Sequence, residues 1–253
     1  MTQFVLALKA YQKAFQLISN KGFVKYLIVP GIINVLLFAL YLFMFIHYGQ
    51  TYLNNEILPL VNDLLKNFDS VILSIIRFFI LVFYYISLFL FYALIYKYIS
   101  LIVLSPFHSW LSEKTETEVT QKKYSFSYKQ LMHDFIRSLK LNSRNAFLEL
   151  LITLSLFMLS FVPALAIFTS LSIFIIQAYF AGFSYLDFSM ERHQLNLSES
   201  KNFVRRNKMF TISCGVIYLL IFLIPFVGWI LAPTITVMAT TLGFLDIQEK
   251  QKI

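Results

Sequence analysis

VILSIIRFFILVFYYISLFLFYALIYKYISLIVL, residues 71–104, is almost unbroken apolar sequence, interrupted only by Arg77 and Lys97. As one helix it would extend about 51 Å, well beyond a hydrocarbon core of about 30 Å. The run between the two cations, Phe78 to Tyr96, is the natural membrane segment. Arg77 and Lys97 then lie near opposite interfaces, where long basic side chains can snorkel to water. Lining a permeation path is the other reading of these two residues. Tyr84, Tyr85, Tyr92, Tyr96 and Tyr98 supply aromatic anchors for such a helix.

A second segment of this kind precedes it. Leu27 to Ile46 is apolar except for Asn34, and Pro30-Gly31 stands near its start, where a proline is tolerated. The composition of the chain agrees. Hydrophobic residues make up 58% of the 253 and charged residues 13%. A soluble domain is nearer half apolar and a quarter charged, so lipid must solvate much of this surface. The lone Cys214 lies in an apolar run and forms no internal disulfide. The net charge of +8 has no polar domain to sit on. It reads as basic loops at a membrane rather than as a nucleic-acid surface, and no nucleic-acid partner is expected.

The remaining segments follow from periodicity. Phe4, Leu8, Tyr11, Phe15 and Ile18 recur at helical spacing, with Lys9 and Lys13 on other faces, which predicts an amphipathic helix on the membrane surface. Residues 49–70 also carry a helical repeat, Leu53, Ile57, Leu60, Leu64 and Phe68, around Pro59. Ser105-Pro106-Phe107 ends the long run, and residues 112–123 read as a charged loop. Residues 128–145 form a second amphipathic helix. Its basic stripe of Lys129, His133, Arg137, Lys140 and Arg144 suits anionic headgroups, and Leu131, Phe135 and Leu139 face elsewhere.

Two apolar hairpins close the chain. Residues 147–162 and 164–186 join at Pro163, and residues 210–224 and 230–245 join through Pro225 to Trp229. Each ends in Leu-Asp, at Leu186-Asp187 and Leu245-Asp246, a weak internal repeat. Arms of about 15 residues reach only about 22 Å, and the tips carry no charge. Hairpins that dip into the bilayer and return are expected. Lys and Arg cluster in residues 1–26, 105–145 and 188–209, while residues 49–70 hold only Lys66. The positive-inside rule places residues 49–70 outside and the basic segments inside. No cleavable signal peptide is read at the start, so a cytoplasmic amino terminus is expected.

The expected fold is therefore an all-α integral membrane protein, one membrane domain over residues 1–253. It has two long transmembrane helices, two short, partly penetrating hairpins and amphipathic surface helices. The sequence carries no phosphate-binding glycine loop, and His47, His108, His133 and His193 show no metal-ligand spacing. No enzyme chemistry, cofactor or metal is expected. Anion binding has a physical case at Gly22 to Lys25, which opens the first long helix. Its unpaired N–H groups and dipole end would face an anion, with Lys21 and Lys25 adding charge.

Several landmarks, in order, carry a family resemblance: Gly22-Phe-Val-Lys25-Tyr-Leu-Ile-Val-Pro30, Asn34, Ser105-Pro106-Phe107, Leu111 and Glu113. They continue through Tyr185-Leu-Asp187, Glu199, Arg205, Arg206, Lys208, Gly215, Ile224-Pro225, Pro233 and Ala239-Thr240-Thr241. Over most of its length the chain resembles the CysZ-type sulfate permease family, grouped with the etoposide-induced-protein membrane domains. The resemblance implies two long helices plus two hairpins and a bacterial inner-membrane protein. It also implies inward sulfate conduction for cysteine synthesis without an ATPase of its own. The family pattern at the first helix is Gly, an apolar residue, then two arginines, whereas Val24 and Lys25 stand here. Lys lacks the guanidinium fork that suits an oxyanion.

Two classes of function stand on these residues. One is an anion permease, expected to work as a homo-oligomer in a bilayer with anionic headgroups, binding an oxyanion at Gly22, Phe23, Lys25 and Lys21, with Asn34, Glu113, Arg205 and Arg206 along a polar path. The other is a non-transporting membrane scaffold that acts through its basic helices.

Overall fold

The structure, a computed structural model, describes residues 2–20, 22–66, 68, 70–122, 128–224 and 227–251. Lys21 and the tip residues Pro225 and Phe226 lie outside the described residues. The described chain is helical: α1 (Gln3–Asn20), α2 (Ile28–Met44), α3 (Gln50–Tyr52), α4 (Leu58–Leu64), α5 (Ser70–Val103), α6 (Ser105–Thr120), α7 (Tyr128–Leu159), α8 (Ala166–Arg192), α9 (Leu197–Arg206), α10 (Lys208–Phe222) and α11 (Val227–Gln251). It forms two compact units, residues 33–100 and residues 1–32 with 101–253. Among the described residues, three helices are long and apolar enough to cross a membrane: Phe23–Leu64, Pro163–Arg192 and Val227–Lys250. The fold is that of an all-α integral membrane protein.

In the smaller unit the chain stays helical from residue 33 to Leu64, with π turns at Phe45–Gly49 and Leu53–Ile57 absorbing the change from apolar to polar sequence. It runs beside α5, which covers the apolar run from which the fold was read. Tyr84 donates to the Gly49 carbonyl at 2.8 Å, and Arg77 donates to Asn62 at 2.9 Å. Lys97 differs from the snorkelling expectation. It is buried, with its ammonium 4.7 Å from the Tyr98 ring centroid, a cation–π contact that offsets part of its desolvation.

The larger unit is built on close helix crossings. α1 packs on α10 and α11. Its buried face is Leu6, Ala7, Ala10, Tyr11, Ala14 and Ile18, while Phe4, Leu8 and Phe15 are exposed. Three alanines sit on that buried face, where they let two helix backbones approach, while Leu6, Tyr11 and Ile18 fill the space around them. Tyr11 donates to the Cys214 carbonyl and meets the Thr236 hydroxyl, both at 2.8 Å.

Residues 112–120 correct the expected loop: they belong to α6, opened by Pro106 in its first turn. Leu111, Ser112, Thr115 and Glu116 are buried at helical spacing, and Ser112 and Thr241 hydroxyls meet at 2.9 Å. Tertiary contact rather than hydrophobicity stabilises this helix. The first hairpin is α7 and α8 around Pro163, as expected, and the second is α10 and α11. At 15 residues α10 rises only about 22 Å, while α8 and α11 are long enough to cross.

Candidate functional site

Gly22 adopts φ 69°, in the left-handed region, where a glycine carries no Cβ penalty. The turn delivers the chain into a 3-10 segment, Phe23–Leu27, that leads into α2. Phe23 is buried and meets Tyr26 edge-on at 5.0 Å, and Tyr26 meets Trp110 at 4.9 Å. The Phe23 side chain is therefore an anchor, and only its backbone is left to serve a ligand. Val24 and Lys25 are exposed, and the Lys25 ammonium lies 5.3 Å from the Tyr26 ring centroid.

The other sequence-selected residues take separate positions. Asn34, in the smaller unit, is buried and accepts a hydrogen bond from Ser100 at 3.0 Å. Glu113 pairs with Arg192 at 3.2 Å, and Arg192 also donates to the Ser109 carbonyl. Arg205 and Arg206 are exposed in the last turn of α9. Glu199 closes a capping box at the start of α9: its carboxylate accepts from Asn196 N–H at 2.7 Å, and Asn196 accepts from Glu199 N–H at 3.0 Å.

A charged cluster that sequence reading missed joins α7, α8 and α9. Arg137, taken from sequence as part of a lipid-facing stripe, turns inward. It donates to both Asp187 oxygens, at 3.1 and 2.7 Å, to Ser200 at 2.8 Å and to the Leu195 carbonyl. Burial works against its charge, but the hydrogen bond and charge of Asp187 prevail and raise the guanidinium pKa. Glu191 lies 3.7 Å from Arg137 and 3.4 Å from His133, and Asp134 follows His133 on α7. One signal was available: the Leu-Asp repeat ending each hairpin. Asp187 pairs with Arg137, and its counterpart Asp246 pairs with Lys13 at 3.1 Å.

Residues 10–233 match the family model described as Sulfate transporter CysZ/Etoposide-induced protein 2.4. The chain is 22% identical over 233 residues to a protein of Pseudomonas syringae pv. tomato named Sulfate transporter CysZ, covering 90% of this chain and 88% of that one. A protein of the same name from Pseudomonas fluorescens is 25% identical over 233 residues, with 90% and 89% covered. Another, from Pseudomonas aeruginosa, is 23% identical over 242 residues, with 94% of each chain covered.

Proposed function

Because the chain belongs to the Sulfate transporter CysZ/Etoposide-induced protein 2.4 family, we propose that it is a sulfate permease of the bacterial inner membrane, working as a single membrane domain. The observation that carries this reading is the family match over residues 10–233, which includes both long helices, the first hairpin, and the second hairpin as far as the start of α11. Sulfate moves toward the cytoplasm, where it feeds cysteine synthesis. The protein works as a homo-oligomer among anionic lipids, with its amino terminus cytoplasmic.

The proposed oxyanion site is the start of the first long helix. Gly22 and Phe23 contribute backbone N–H groups, and Lys25 contributes charge, with Lys21 assisting. The left-handed Gly22 and the buried Phe23 ring support this reading, since they hold the backbone of this turn in place. Asn34, Glu113, Arg205 and Arg206 are proposed to lie along the permeation path.

One ammonium in place of two guanidinium groups makes binding weak and salt-sensitive, because exposed charge is screened over about 8 Å at physiological ionic strength. Sulfate flux into proteoliposomes and calorimetry on the purified protein test the proposal. Lys25→Ala should abolish measurable sulfate binding, and Val24→Arg should strengthen it by about 1.5–3 kcal/mol. Absence of sulfate flux, with neither substitution altering binding, would favour the non-transporting scaffold.

A further inference from the structure

We infer that His133, Asp134 and Glu191 form a binding site for one divalent transition-metal ion, Zn²⁺ in the first instance. The three residues offer one imidazole nitrogen and two carboxylate oxygens that all lie within 4.8 Å of one another. The set is invisible to sequence spacing, because α8 brings Glu191 back beside the first turns of α7.

Three observations point to a cation there. The first is charge. Asp134, Asp187 and Glu191 side chains are 6%, 5% and 3% exposed, and the cluster's guanidinium, Arg137, hydrogen-bonds Asp187, Ser200 and the Leu195 carbonyl and reaches Glu191 only at 3.7 Å. Three buried carboxylates thus share one guanidinium beside the imidazole, and buried negative charge is costly unless it is paired or bound to metal. The second is an orphaned atom. Glu191 Oε1 is buried and accepts no hydrogen bond among the described residues, and it is the oxygen 3.4 Å from His133 Nδ1.

The third is support behind the donors. Asp134 accepts from Ser109 at 2.5 Å and from Gln130 at 2.7 Å, so its carboxylate is oriented from α6 and from its own helix. Metal-ligating carboxylates are held in this way by outer hydrogen bonds. The His133 side chain is 67% exposed, which gives an ion an entry path and leaves coordination positions for water. The His133 Nδ1–Glu191 Oε1 separation of 3.4 Å is already close to the ligand–ligand edge of a tetrahedral zinc site with bonds of about 2.0–2.2 Å. A nitrogen and two oxygens without thiolate suit Zn²⁺ or Mn²⁺, and the usual affinity order favours zinc. An ion held here ties α7 to α8, with Ser109 of α6 behind it.

The test is calorimetric titration of ZnCl₂ into the purified, untagged, full-length protein after EDTA treatment. One equivalent should bind, and the ion should raise the thermal midpoint. His133→Ala, at an exposed position that leaves folding intact, should weaken binding by about 10–100-fold. Glu191→Gln should weaken it as much, while His47→Ala should change nothing. The inference is overturned if the wild-type protein takes up no zinc, or if His133→Ala binds as tightly as wild type.

Discussion

His108 is fully buried on α6, and neither ring nitrogen has a hydrogen-bond partner among the described residues. Its ring packs against Phe188 at 5.2 Å and Tyr185 at 5.9 Å, so it behaves as an aromatic filler. Burial lowers its pKa from 6.5 to about 3. The sign follows directly. The unfolded chain takes up a proton near pH 6.5, and the folded chain does not until about pH 3. The neutral imidazole's contribution is therefore complete above pH 6.5 and lost progressively as the pH falls below it. At pH 5 the loss should be about 2 kcal/mol. His108→Phe keeps the ring packing and removes the titration. Thermal unfolding in detergent at pH 7.5 and pH 5 should show a smaller acid destabilisation for the variant. Equal pH sensitivity of the two proteins would rule out this account of His108.

At the scale of elements, the crossing of α8 and α10 is set by small residues four apart, Ala178 and Gly182 facing Thr211 and Gly215. A Cβ at Gly215 would lie 1.7 Å from the Ala178 carbonyl oxygen, and one at Gly182 would lie 2.0 Å from that of Thr211. Neither backbone can yield without moving a whole helix. Gly215→Ala should cost at least about 1–3 kcal/mol, seen as a lower thermal midpoint and less monodisperse protein. Gly31→Ala is the control, since its Cβ would meet only Ile230 at 3.4 Å. Equal tolerance of the two substitutions would show that the crossing does not depend on Gly215. α7 obeys a related rule. Asp134, Ser138, Asn142, Asn145 and Glu149 are buried, while Phe147, Leu151, Leu154 and Met158 are exposed. Its polar face points to protein and its apolar face is left for lipid, the reverse of a water-soluble helix.

For the whole molecule, the distribution of charge sets a testable orientation. Residues 49–70 are expected outside, and residues 112–145, 188–209 and 250–253 inside, because basic residues concentrate in the latter segments. Cys214 is fully buried, so a Cys214→Ala background suits accessibility labelling. In intact cells a membrane-impermeant thiol reagent should label Asn55→Cys and leave Lys122→Cys and Lys201→Cys unmodified. The opposite pattern would invert the topology, and with it the proposed direction of the Gly22 helix start.

The helices themselves were legible in the sequence. A helix solvated by lipid closes its backbone hydrogen bonds within one segment, so the apolar run at 71–104, the break at Ser105-Pro106 and the turn at Pro163 are local signals. The loop expected at 112–123 failed because its helix depends on partners in other helices, such as Thr241 against Ser112. The charged cluster was hidden for the same reason. Arg137 and Asp187 stand 50 residues apart, and nothing in the basic stripe distinguishes Arg137 from Lys140 or Arg144. Sequence alone determined which apolar segments are helical and that lipid surrounds them. Only the tertiary structure decided which face of each helix turns inward, because that depends on which neighbour supplies a partner for each buried polar group.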